Sequence, residues 1–205
     1  MRTVFRIALA LVLMVGITSA ATAQVTIAIG PKAGVNFADF TGDDAEGIDM
    51  RTSFAFGAAA DITISDMFSI MPEAYYSMQG AEEDPVTWEL DYIRVPILVK
   101  LTIPTEGNIS PYVFAGPDLG FKARCKISNS ETIDCDDVPD SEVKSFDYGI
   151  TGGAGVGFAL GSGMLNINAR YSLGLADVVD FAGEALDIKT TNIHVAVAYL
   201  FTLGQ

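Results

Sequence analysis

Beyond residue 24 the 205-residue chain has no apolar run approaching the roughly 18 uncharged residues that a membrane-spanning helix needs. Helical spans are thereby excluded over most of its length. Basic residues are scarce, 12 against 26 acidic ones, and the net charge of −14 argues against nucleic acid as a partner. Histidine occurs once, as His194, and cysteine twice, as Cys125 and Cys135. That spacing, with no histidine nearby, gives little support to a zinc site, so the cysteines are read as a disulfide or as two free thiols. No cofactor is expected.

What the chain does contain is apolar residues in alternation, with 20 glycines scattered among them. That is a β pattern, in a length that suits one domain. The first residues depart from it. Arg2 and Arg6 form a basic start, Ile7 to Ile17 an apolar stretch, and Ala21-Thr22-Ala23 a small-residue cleavage motif before Gln24. Residues 1–23 are therefore expected to be an export signal cut between Ala23 and Gln24, leaving 24–205 as the barrel domain. The apolar stretch is too short for an anchor helix, and no cysteine follows it to carry a lipid. Export places Cys125 and Cys135 in an oxidising compartment, which favours the disulfide over free thiols.

Alternation resolves eight strands, near 26–38, 52–64, 67–79, 88–102, 111–124, 146–160, 164–175 and 188–202. The connections between them are by turns long and short. Long polar ones occupy 39–51, 80–87, 125–145 and 176–187; short turns lie at 65–66, 103–110 and 161–163. Long extracellular loops and short periplasmic turns are the mark of an outer-membrane barrel, and an even strand count leaves both termini on the periplasmic side. Face polarity agrees. In the seventh strand Leu165, Ile167, Ala169, Tyr171 and Leu173 share one face, and Asn166, Asn168, Arg170 and Ser172 the other. The eighth sets Ile193, Val195, Val197, Tyr199 and Phe201 against Asn192, His194, Ala196 and Ala198. Apolar residues outward and polar ones inward is the reverse of a soluble barrel. The expected fold is all-β, a closed eight-stranded antiparallel up-and-down transmembrane barrel in a bacterial outer membrane.

Four stretches, Gly30-Pro-Lys-Ala-Gly-Val-Asn-Phe37, Met71-Pro-Glu-Ala-Tyr-Tyr76, Asp91-Tyr-Ile-Arg-Val-Pro-Ile-Leu-Val-Lys100 and Pro111-Tyr-Val-Phe-Ala-Gly-Pro117, resemble the PorT-like outer-membrane β-barrel family. The likeness covers the first and the third to fifth strands closely, and the rest in pattern. It implies an eight-stranded barrel of a Gram-negative outer membrane and brings no catalytic motif to transfer.

The same alternation points Lys32, Asp61, Glu73, Arg94, Lys100, Asp118, Lys122 and Arg170 into the lumen. A barrel of eight strands is only wide enough to be filled by side chains, so these groups are expected to pair and pack. A small pore for ions or solutes is the alternative. A lipid-modifying enzyme would need a nucleophile and base within hydrogen-bond reach; His194 faces inward, and no serine has a sequence-level claim to partner it, although Ser172 shares the lumen. Of the 26 acidic residues, 18 fall in the long loops, among them Asp39, Glu82, Asp134, Asp177, Asp180 and Asp187. They are read as a solvated surface, with divalent-cation bridging to lipopolysaccharide phosphates as the functional alternative. The expected role is structural or surface-interacting, for a monomer in contact with outer-membrane lipid and lipopolysaccharide and with an envelope or extracellular protein as possible partner.

Overall fold

The computed structural model describes residues 25–42, 49–83, 86–129, 132–138, 141–181 and 184–203; the export signal and the Ala23/Gln24 cleavage position lie outside them. Eight long strands form the wall: β1 Thr26–Thr41, β2 Asp49–Thr63, β3 Phe68–Ser77, β4 Val86–Thr102, β5 Ile109–Ser128, β6 Phe146–Leu160, β7 Gly163–Gly174 and β8 Lys189–Leu203. Each pairs antiparallel with its neighbours in sequence. The ring closes where β1 meets β8, from Ile27 opposite Leu203 to Thr41 opposite Lys189. Closure leaves the wall no free edge, the condition for β structure in hydrocarbon.

Side-chain direction follows the period of two. Phe54, Phe56, Ile93, Ile97, Val99, Val113, Ile150, Tyr171, Val195 and Phe201 are exposed on the outer wall, while Ala55, Ala59, Leu98, Tyr112, Phe114, Ala196 and Ala198 are buried within. Outward aromatic rings gather toward the long-loop end, where Phe146 lies 5.4 Å from Phe121 and 6.2 Å from Tyr148. Rings at that level suit the membrane interface. Inside, glycine makes room for large residues. A Cβ on Gly155 of β6 would come within 2.5 Å of the Tyr112 ring, and one on Gly120 of β5 within 2.8 Å of Arg94 Nη1.

Two features depart from the sequence expectation. The long connections are themselves partly β. Gly80–Glu83 pairs with the start of β4 and with Asp49 and Met50 of β2. Thr132–Asp134 folds back on Lys126 to Ser128, extending β5 beyond its expected end. In addition Val179–Phe181 pairs with both Glu184–Leu186 and Ser141–Val143, so the third and fourth long loops share a three-stranded sheet. The second departure is a bulge. Asp91 opposes Arg124 but Tyr92 opposes Lys122, which leaves Ala123 without a partner. Without that extra residue Cys125, three positions past the inward Lys122, would face out; instead it is buried.

Candidate functional site

The lumen is the candidate site, and its contents form levels from the short-turn end to the long-loop end. At the first, Lys100 of β4 is paired with Asp61 of β2, and Thr63 donates to the same carboxylate at 3.3 Å. The Lys100 ammonium lies 4.8 Å from the centre of the Tyr112 ring. A cavity of ≈ 270 Å³ opens beside this pair toward the short turns. Above it Met71, Leu98, Tyr112 and Phe114 form an apolar cluster.

The second level is centred on Glu73 of β3. Lys32 of β1 contacts its Oε2 at 2.6 Å, and Arg170 of β7 donates to both oxygens, at 2.7 and 2.9 Å. This is the forked geometry that arginine and carboxylate share. Arg170 also donates to Asn168 at 3.1 Å. Both cations lie against aromatic faces, Lys32 over Tyr75 at 4.4 Å and Arg170 over Phe114 at 4.9 Å.

At the third, Arg94 of β4 meets Asp147 of β6 at 2.8 Å and donates to Gln79 at 3.0 Å, and the Thr190 hydroxyl of β8 donates to Asp147 at 2.8 Å. Asp118 is buried, within electrostatic range of Arg94 and Arg170. Beside this level runs a seam of amides. Asn36 donates to Ser77 at 3.0 Å and to the Met78 carbonyl at 2.7 Å, and its own Oδ1 faces Asn192 Nδ2 at 3.0 Å and His194 Nδ1 at 2.7 Å. Leu90, Tyr92, Cys125, Cys135 and Val143, with Phe40 and Ile127 against them, then close the long-loop end. Cys125 and Cys135 are joined as a disulfide inside this plug, so the bridge anchors the third long loop over the barrel mouth.

Seven of the eight lumen residues named from sequence are buried inside the wall: Lys32, Asp61, Glu73, Arg94, Lys100, Asp118 and Arg170. Lys122 stands higher, half-buried, donating to the Val143 carbonyl at 2.9 Å beneath the loop sheet. Asp147, fully buried, belongs to the network and was not named, although its position in β6 has the parity of the inward Thr151. With Lys122 at the rim and Asp147 added, the deep lumen holds, among the described residues, four cations, Lys32, Arg94, Lys100 and Arg170, and four anions, Asp61, Glu73, Asp118 and Asp147. Balanced charge is what a narrow, dry interior requires.

His194 and Ser172 are not brought together. The histidine is 0% exposed, hydrogen-bonded to Asn36 and stacked on Tyr75 at 5.5 Å between ring centres. Ser172 donates to Thr151 Oγ1 at 2.9 Å. Among the described residues no group of three His, Cys, Asp or Glu side chains is arranged to hold a metal ion. At the rim, outside the membrane, Lys189 is paired with Asp187 and lies 2.9 Å from Asp177. Its ammonium pKa is pushed up to about 12 by hydrogen bonds to Asp187 and Asp177. Asp39 accepts from the Phe40 amide at 2.8 Å. The side chains of Glu82, Glu83, Asp136, Glu142, Asp180 and Glu184 lie outside the description.

Residues 22–180 match the outer membrane protein beta-barrel domain family, and the chain belongs to it. It is a closed eight-stranded barrel of the bacterial outer membrane. Solved structures with the same architecture include Neisserial surface protein A, at a TM-score of 0.52 and 14% identity, covering 83% of this chain and 95% of that one. Another is the outer membrane protein OprG of Pseudomonas aeruginosa, at a TM-score of 0.50 and 10% identity, covering 89% and 98%. At such identities the likeness concerns the fold alone. No functionally curated protein matches the sequence.

Proposed function

We propose that this outer membrane protein beta-barrel domain chain is a non-conducting, non-enzymatic scaffold that holds a folded loop cap at the cell surface for contact with an envelope or extracellular partner. The observation that carries the reading is the plug. Above three levels of paired charge, the Cys125–Cys135 bridge, Leu90, Tyr92 and Val143 fill the mouth, and a sheet shared by the third and fourth loops lies over them. Loops destined only to repel one another would have no need of a buried apolar anchor. A continuous file of water would have to cross the plug and every ionic level beneath it, which argues for a surface role over a pore.

Within the family the chain is assigned to the PorT-like barrels, on the four stretches that resemble them. Residues 1–23 serve as the export signal, cut before Gln24, and the mature barrel is a monomer. Its outer wall contacts outer-membrane lipid and lipopolysaccharide. Ser172 and His194, the serine and histidine weighed for a lipid-modifying enzyme, each bond elsewhere, which supports a role without catalysis.

Planar-bilayer recording on the purified barrel tests the closed lumen: a flat current trace is expected, and stable, large conductance steps would overturn the reading. The surface role is tested by crosslinking in intact cells. A single envelope or extracellular protein captured through the third and fourth loops, and lost when those loops are replaced by short turns, is the expected result.

A further inference from the structure

Above the membrane the barrel wall continues as a sheet whose two faces differ. β4 and β5 run on past the aromatic girdle, flanked by Gly80–Glu83 on one side and Thr132–Asp134 on the other. Residues opposite one another on neighbouring strands share a face. One such row reads Met50, Ala81, Trp88, Ile127 and Ile133, each opposite the next. The adjoining row, on the other face, reads Gly80, Glu89, Lys126 and Asp134, and Arg124 is ion-paired with Glu89. The extension is therefore polar on one face and apolar on the other.

The apolar face is the one that looks over the mouth of the barrel. Leu90 and Cys125, opposite each other two positions nearer the membrane, belong to the plug, and Ile127 packs against it. Met50, Trp88 and Ile133 carry that surface into the open, 51%, 37% and 47% exposed. On the wall below, exposed apolar side chains meet lipid. These do not, because Ile127 lies six residues past Phe121 of the girdle, more than about 10 Å above it even along a tilted strand. An apolar patch gathered at one place in water marks an interaction surface, as scattered single residues do not.

We propose that this face receives a basic segment of an extracellular polypeptide, which lays its aliphatic or aromatic side chains on the row and its lysines or arginines among the surrounding acids. The inference rests on the surface role put forward above and names the chemistry of the partner. Charge selects it. The four long connections carry 18 acidic residues against three basic ones, Arg51, Lys126 and Lys144, and Lys126 stands between Glu89 and Asp134 in the ladder. A second copy of the chain would bring the same sign of charge to the row, and the phosphates of neighbouring lipopolysaccharide would be repelled alike. The row crosses five strands, about 19 Å at ~4.8 Å between neighbours, which is the length of about six extended residues.

Trp88 is the single tryptophan of the chain, so it reports on its own face. The test uses the full barrel in phosphatidylcholine nanodiscs, whose lipid carries no net charge to gather the probe. That probe is a short tryptophan-free peptide alternating lysine with leucine, and two controls replace its leucines by serine or its lysines by glutamate. Emission from Trp88 should move to shorter wavelength and saturate, with a dissociation constant on the order of 10 μM, and each control should bind at least about tenfold more weakly. Met50→Ser together with Ile133→Ser keeps the reporter and should weaken the peptide about tenfold without lowering thermal unfolding, because both side chains are exposed. Equal binding of the serine peptide would mean that charge alone attracts the probe, and it overturns the proposal. Equal binding of the glutamate peptide, an unaltered constant in the double variant, or the lack of a saturable shift overturns it too. So does Trp88 emission already shifted in a barrel that crosslinks to a second copy, since that copy then covers the face. If the peptide fails while crosslinking in cells still captures a partner through the loops, the docking face falls and the surface role stands; stable conductance with peptide binding intact does the reverse.

Discussion

Replacing Glu73 by glutamine would strand two cations in the middle of the barrel. In the native chain its carboxylate meets Lys32 at 2.6 Å and Arg170 at 2.7 and 2.9 Å. The three residues are 4%, 3% and 2% exposed, so water cannot take over the lost contacts without entering the lumen. At an effective dielectric constant of about 20, each ion pair at such a distance attracts by about 6 kcal/mol. That attraction is opposed by a desolvation cost of several kcal/mol for each ion. Glutamine keeps the shape and the burial but removes the charge, so the desolvation of Lys32 and Arg170 stays while its compensation goes. The expected loss of stability is about 3–5 kcal/mol, as for other buried pairs broken from one side. Urea unfolding of the barrel in lipid vesicles, followed by circular dichroism, measures it. A triple variant, Lys32→Met with Glu73→Leu and Arg170→Met, should regain most of the loss, because it removes the stranded charges along with their partner. A loss below about 1 kcal/mol in Glu73→Gln, with the triple variant less stable than that single one, would refute the reasoning. It would mean that the lumen is wet enough to screen its own charges.

Two further perturbations address the plug and the ionic levels separately. Changing Cys125 and Cys135 together to serine frees a ten-residue loop whose closure is worth somewhat under ~3 kcal/mol. The barrel should still fold, but externally added protease should cut the third loop in intact cells, and a loop as resistant as in the native protein would refute the anchoring role. Gly120→Ala should cost about 1–3 kcal/mol, since the three atoms nearest its Cβ would all belong to Arg94, with Nη1 at 2.8 Å and Cζ at 3.0 Å. In an Arg94→Met background that penalty should nearly vanish, a non-additivity that a double-mutant cycle measures.

The wall was legible in the sequence because lipid outside and charge inside impose a strict period of two, and β7 and β8 carry it without a break. Most of the lumen could be read by the same parity, as Lys32, Glu73, Arg94 and Arg170 illustrate. The reading ran short at the long-loop end, where alternation stops being a constraint. Arg124 and Cys125 are separated from the inward Lys122 by a bulge that leaves no mark in a pattern of apolar and polar residues. The loop segments read as solvated acid carry too few apolar residues to announce strands. Val179–Phe181 and Ser141–Val143 pair because the barrel brings their stems together, a contact that no local window contains. Asp147 had the right parity, but it stands one residue inside β6, beside a loop dense in acids, and it was not named.

The ionic levels also have a mechanical consequence. Backbone ladders fix the circumference of a ring of strands but not its roundness, and lateral pressure in a bilayer can flatten a hoop without breaking one hydrogen bond. The charged contacts behave as spokes, because each joins staves that are not neighbours: β3 to β1 and β7 through Glu73, β4 to β6 and β8 through Asp147 and Thr190, β2 to β4 through Asp61. A wheel braced at successive heights keeps its rim true, and the loop sheet bolted across the top therefore rests on a mount of fixed shape.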